Sequence, residues 1–186
     1  MPTTESIVTA VNDTFWNNFM ADDGATQRIR DGQTATCTAF GNLSIPAGAT
    51  IDGIEVDIEG TATPTDLEGS TGDWISVSND GGSSFSTAQS VTTGPWTAYG
   101  GTDTVETAGG TSELWGESWN ATTAAAIQVR LGWSTTNGDA VFPDYVLVRI
   151  TYTEAVGVLT YTSDDNIVLK NGQIELKNGM IEIKGP

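Results

Sequence analysis

The residues most able to do chemistry in this chain are acids. Asp22 and Asp23 stand side by side, and so do Asp164 and Asp165. Two carboxyls at a set separation across a cleft can hydrolyse a glycosidic bond, and carboxylates in loops can lend oxygens to calcium. Nothing in the spacing outlines a cleft, and solvated turn residues account for both pairs. No cofactor or metal is therefore required, with calcium in an acidic loop as the one alternative. The chain has no histidine. That absence removes Ser-His-Asp hydrolysis, Cys-His proteolysis and imidazole metal sites together. No phosphate-binding or dinucleotide-binding glycine pattern occurs. What remains is recognition: Trp96 and Tyr99 lie in a loop-like stretch and are the candidate glycan contact, since aromatic faces stack on pyranose rings.

Ser78-Asn-Asp80-Gly-Gly82-Ser-Ser84-Phe85 resembles an Asp-box, the hairpin repeated in sialidase propellers. Its chemistry is local. The Asp accepts backbone hydrogen bonds in the turn, Gly allows the tight bend, and the aromatic anchors the hairpin. One box among only four arginines, Arg28, Arg30, Arg130 and Arg149, argues for a structural turn. Trp74 and Trp133 fall in strand patterns and are expected in the core. Cys37 is the single cysteine, so no intrachain disulfide is possible, and its strand-like setting predicts a buried, inert thiol.

The elements that must position these residues are β-strands. Gly, Thr and Ser recur, turn signals come roughly every ten residues, and alternating apolar runs lie between them, the signature of a sandwich or barrel. Ile54, Val56 and Ile58 alternate with Glu55, Asp57 and Glu59 in a strand over 50–60. Trp74–Ser78 is a strand that turns at Asn79–Gly82 and returns as a hairpin. Strands over 126–133 and 145–152 are expected to pair with each other, the second placing Val146, Val148, Ile150 and Tyr152 on one side. Short helices are expected near Phe15–Met20 and Ala121–Ala126. That makes about seven or eight strands before residue 154, the number a jelly roll needs.

After Glu154 the texture changes to a seven-residue repeat: Asn166–Gly172, Gln173–Gly179 and Met180–Pro186. Each copy reads as a five-residue strand closed by a two-residue turn, and in the first two copies the turn is Asn-Gly, the pair preferred in tight hairpins because both positions take positive φ. The register puts Leu169 opposite Ile174 and Leu176 opposite Ile181. Ile167, Leu169, Ile174, Leu176, Ile181 and Ile183 then share one face of a three-stranded meander. Each is worth about 1.5–3 kcal/mol if fully buried, and a patch of that size marks an interface. The expected cover is the same face of other copies around a symmetry axis, in a trimer. Folding back on the sandwich is the alternative.

The net charge is −17, from 24 acidic and 7 basic residues. That argues against nucleic acid as a partner, which calls for clustered Lys and Arg, and against anionic membranes. No secretory signal and no membrane-length apolar run are found, so the chain is expected to be made in the host cytoplasm and to stay soluble. The sequons at Asn12, Asn42 and Asn120 are read as accidental.

Four pieces of the chain carry a likeness. They are Leu43-Ser-Ile-Pro-Ala-Gly-Ala-Thr-Ile51 with Gly53-Ile-Glu-Val56, the hairpin Ser78–Phe85, Glu113-Leu-Trp-Gly-Glu-Ser-Trp119, and Asp144-Tyr-Val-Leu-Val-Arg-Ile-Thr-Tyr152. In order and spacing this stretch, about 60% of the chain, resembles a jelly-roll domain of bacteriophage virion and tail-associated proteins. The resemblance implies an all-β, jelly-roll-like antiparallel sandwich with a place in the virion, and does not distinguish head from tail.

The expected organisation is an N-terminal contact arm (1–24), a jelly-roll sandwich (25–154) and a β-repeat oligomerisation tail (155–186). In the arm, Phe15, Trp16, Phe19 and Met20 are the candidate capsid contact. The expected function is non-enzymatic: a capsid decoration or cement protein acting as a homotrimer on the major capsid protein or another virion protein. The alternative is a tail-tip or short-fibre module that recognises host glycans.

Overall fold

The computed structural model describes residues 1–11, 26, 28–30, 32–41, 43–62, 74–91, 97, 100–132, 140–155, 174–177 and 180–183. The chain divides into two units, Met1–Ala155 and Val156–Pro186.

The first unit is built from β1 (Thr3–Val11), β2 (Ile29–Arg30), β3 (Thr34–Phe40), β4 (Thr50–Ala62), β5 (Trp74–Ser78), β6 (Gln89–Ser90), β7 (Thr104–Gly110), α1 (Ala121–Ala125), β8 (Gln128–Gly132) and β9 (Ala140–Thr153). Every strand pair is antiparallel. One sheet runs β1-β9-β4-β7 and the other β6-β5-β8-β3-β1, with β2 added on β9. β1 belongs to both. Thr3–Ile7 pair with Thr151–Leu147 of β9, and Val8, Ala10 and Val11 pair with Phe40, Ala39 and Cys37 of β3. Register shifts beside Ala10 mark the irregularity that lets one strand serve two sheets.

Alternation explains the core. Ile54, Val56 and Ile58 of β4 and Val146, Val148 and Ile150 of β9 come from one sheet; Ile75 and Val77 of β5, Val129 and Leu131 of β8, and Ala35 and Cys37 of β3 come from the other. All belong to a single buried cluster, as expected when two sheets pack face to face. β7 ends its sheet, and its Glu106, in register with Ile58, is only 3% exposed. A charge turned inward on an edge strand discourages further strand addition.

Strand polarity sorts the connections between two ends. Residues 41–49, 79–88 and 111–127 join strands at the end where β9 finishes, and Pro2 O accepts there from Tyr152 N at 3.1 Å. β1, β4 and β8 finish, and β3, β5, β7 and β9 begin, at the other end.

Three expectations are corrected. β8 and β9 do not pair with each other: β8 lies between β3 and β5, and β9 between β1 and β4. Both strands bury alternate residues in the same core, and alternation cannot tell a neighbour in one sheet from a strand facing it in the other. Residues 3–11 are not part of a preceding arm, because β1 is hydrogen-bonded inside the sheets. Trp74 is half-buried rather than core: Ile75 and Val77 take the inner positions of β5, which leaves Trp74 on the outer face.

In the second unit, β10 (Ile174–Lys177) and β11 (Met180–Ile183) pair antiparallel. The register sets Leu176 against Ile181, as the repeat predicts, and Ile174 against Ile183. Ile167 and Leu169, in the first copy, lie outside the described residues.

Candidate functional site

Four groups of residues in the described structure are organised enough to consider. The first is the turn after β5. Asp80 Oδ1 accepts from Ser78 Oγ at 2.7 Å and Ser84 N at 3.0 Å, and Oδ2 accepts from Ser84 Oγ at 2.6 Å. Gly82 N donates to Ser78 Oγ at 2.8 Å. These bonds, those from Ser84 foremost, hold the Asp80 carboxyl down at about 2. Asn79 Nδ2 donates across to Ser118 O at 2.9 Å, which ties the turn to the loop after β7. Every oxygen of Asp80 is thus engaged in shaping the turn.

The second is that loop. Trp115 is 3% exposed and takes φ +60°, a left-handed conformation rare for a non-glycine residue. Its indole Nε1 donates to Ile54 O at 3.0 Å, and Glu113 Oε1 accepts from its backbone N at 2.6 Å. The indole lies against Gly109, where a Cβ would meet it at 3.0 Å and Ile54 O at 2.2 Å. Trp119 Nε1 donates to Leu114 O at 3.0 Å. Both tryptophans therefore pack, Trp115 within the core and Trp119 partly buried against it. Three of the four pieces that carry the phage likeness meet here: 78–85 through Asn79, 113–119 through Trp115, and 43–56 through Ile54, whose N donates to Glu113 O at 2.9 Å.

The third is the outer face of the β1-β9-β4-β7 sheet. Arg149 is shared by Glu5 at 3.1 Å, Asp57 at 3.2 Å and Glu55. One cation against three carboxylates leaves the group net negative. Burial pushes the Asp57 carboxyl above its usual range and the charge of Glu5 adds to the rise, while the hydrogen bond from Thr107 Oγ1 at 2.7 Å works against it. Sequence reading named none of these as a cluster. The signal was present in the alternation of Glu55, Asp57 and Glu59 and in the phase of Arg149, but only the β4–β9 register joins them. Among the described residues no group of three or more Cys, Asp or Glu could hold a metal ion.

The fourth is the outer face of the β5-β8-β3 sheet. The Arg130 guanidinium lies 4.0 Å from the centroid of Phe85 and 5.6 Å from that of Trp74. Thr36 and Ser76 flank Arg130 in register on β3 and β5.

The candidate capsid contact (Phe15, Trp16, Phe19, Met20), the candidate glycan contact (Trp96, Tyr99), and the pairs Asp22–Asp23 and Asp164–Asp165 lie outside the described residues. Of the tail residues, Ile174, Leu176, Ile181 and Ile183 are placed by backbone register alone. No protein-family model matches the chain, and no curated protein matches it.

Proposed function

We propose that this chain is a non-enzymatic structural protein of a bacteriophage virion, a capsid decoration or cement protein that assembles as a homotrimer through its C-terminal repeats. The single observation that carries the reading is the tail hairpin. An isolated two-stranded hairpin is marginal in water, yet this one pairs Leu176 with Ile181 and Ile174 with Ile183. Such a hairpin needs cover for its aliphatic positions, and identical faces meeting about an axis supply it.

The distribution of charge supports the tail as the point of association. All three lysines, with only four of the acids (Asp164, Asp165, Glu175, Glu182), lie after Ala155. The first 155 residues hold four arginines against twenty acids. Copies of the first unit repel one another, and the tail is where that opposition is least. A two-sheet antiparallel fold with one strand serving both sheets suits the jelly-roll topology, and the likeness to phage virion proteins supplies the setting. In that role the protein stabilises a shell by burying interface area on its capsid partner.

Light scattering on the full chain and on a variant ending at Glu154 tests the proposal. A trimer that becomes a monomer on truncation is the expected result. Two monomers would overturn the trimer and shift the reading to the tail-fibre alternative.

A further inference from the structure

We propose that the Trp74–Arg130 patch on the outer face of the β5-β8-β3 sheet binds an acidic sugar, a pyranose ring that carries a carboxylate. This goes beyond the assembly role and does not depend on the tail.

Arg130 is the first reason. In a chain with 24 acids and 7 bases, Arg149 is engaged by three carboxylates. Among the described residues none accepts a hydrogen bond from the Arg130 side chain, and its Nε is enclosed without a partner. The guanidinium instead rests on Phe85, 4.0 Å from the ring centroid. A guanidinium carries its donors in its own plane, which is the geometry that grips a carboxylate through two parallel bonds.

Trp74 is the second. Its register partner is Gly132, where a Cβ would stand 1.9 Å from the indole Cε2. The indole therefore lies across the bare backbone of β8, with one face against the strand and the ring half-buried.

The surrounding hydroxyls are the third. Thr36 and Ser76 flank Arg130, and Thr34 pairs with Gly132 beside the indole. The Ser76 hydroxyl, on the residue in register with Arg130, is buried without a partner. A stacked pyranose would use the indole for its apolar face, the threonines for its hydroxyls and the guanidinium for its carboxylate. A protein carboxylate would engage Arg130 and gain nothing from the indole or the threonine row. The wider negative field of the chain is screened beyond about 8 Å at physiological salt, which leaves the contact pair to decide.

The test follows the indole N–H signals of the full chain by NMR, with Trp74→Phe assigning the Trp74 peak. The probes are trigalacturonate, N-acetylneuraminic acid, the neutral methyl ester of trigalacturonate, and a short polyglutamate peptide. The expected result is a saturable shift of the Trp74 peak with an acidic sugar, none with the ester, and an affinity reduced roughly tenfold or more by Arg130→Gln, with the other indole peaks unmoved. No saturable shift at millimolar acidic sugar would overturn the site. Equal binding of the ester would overturn the role of the carboxylate. Equal binding of polyglutamate would replace the sugar with a protein partner.

Discussion

Trp115 offers the sharpest test of how this fold is held. Its side chain is almost fully enclosed, caps the Ile54 carbonyl at 3.0 Å and fills the space left by Gly109, while its backbone sits at φ +60°. Replacing a buried Trp with Ala costs about 3–5 kcal/mol, part of which is the roughly 1–3 kcal/mol of leaving a buried acceptor unpaired. The backbone adds a second, separable effect. A non-glycine residue in the left-handed region carries roughly 1–2 kcal/mol of strain that glycine escapes. At ordinary dihedrals glycine is the worse choice, by about 0.5–1 kcal/mol in a regular element. The two tendencies oppose each other here, and the strain is the larger. Trp115→Gly should therefore be more stable than Trp115→Ala by about 1 kcal/mol, though both fall far below the parent. In thermal unfolding that difference is roughly 2–4 °C for a chain of this size. The assay is urea and thermal denaturation of the three proteins at one fixed concentration, because association makes apparent stability concentration-dependent. If Trp115→Ala proved the more stable variant, the left-handed backbone would carry no strain. If Trp115→Ala cost less than about 1 kcal/mol, the indole would not be a pin between β4 and the loop after β7.

Asp80, held at about 2 in the folded protein, contributes stability that is fully present above the ordinary carboxyl value of about 3.9 and fades as pH falls through about 2. A carboxyl-carbon NMR titration should find Asp80 ionised at pH 3, and Asp80→Asn should remove this part of the acid dependence. Asp57 runs the other way. Its raised carboxyl makes its charged form a burden near neutrality, so Asp57→Asn should leave stability at pH 7 unchanged or raise it by roughly 1 kcal/mol. Chemical denaturation should show the gain shrinking as acid protonates the parent, and a loss of more than about 1 kcal/mol would mean that the bond to Arg149 outweighs burial. Cys37, fully buried, has its thiol pushed well above the usual range by desolvation. A disulfide-exchange reagent should react with it at the rate of unfolding, and fast labelling of the native chain would contradict its burial.

Much of the molecule could be read from its residues. Period-two alternation marked β4, β8 and β9 with their buried faces, because a strand's two sides are set by adjacent residues. The spacing of the repeat announced the β10–β11 pairing and the register of Leu176 against Ile181. The helix expected near Ala121–Ala126 is the one helix among the described residues, where Asn120 closes a capping box. The charge imbalance between the first 155 residues and the tail is likewise a property of the chain alone.

What the tertiary structure decided was which strands lie side by side. β1 serves both sheets, and β8 and β9 part into different ones, because burial rewards any apolar face equally and does not specify a neighbour. For the same reason the Arg149 cluster, assembled from Glu5, Glu55 and Asp57 across more than ninety residues of chain, had no local signature. The outward Trp74 shows the limit from the other side. Its strand setting had suggested the core, and its meeting with Gly132 and Arg130 required the backbone hydrogen bonds that join β5 to β8, with Phe85 supplied by the segment after β5.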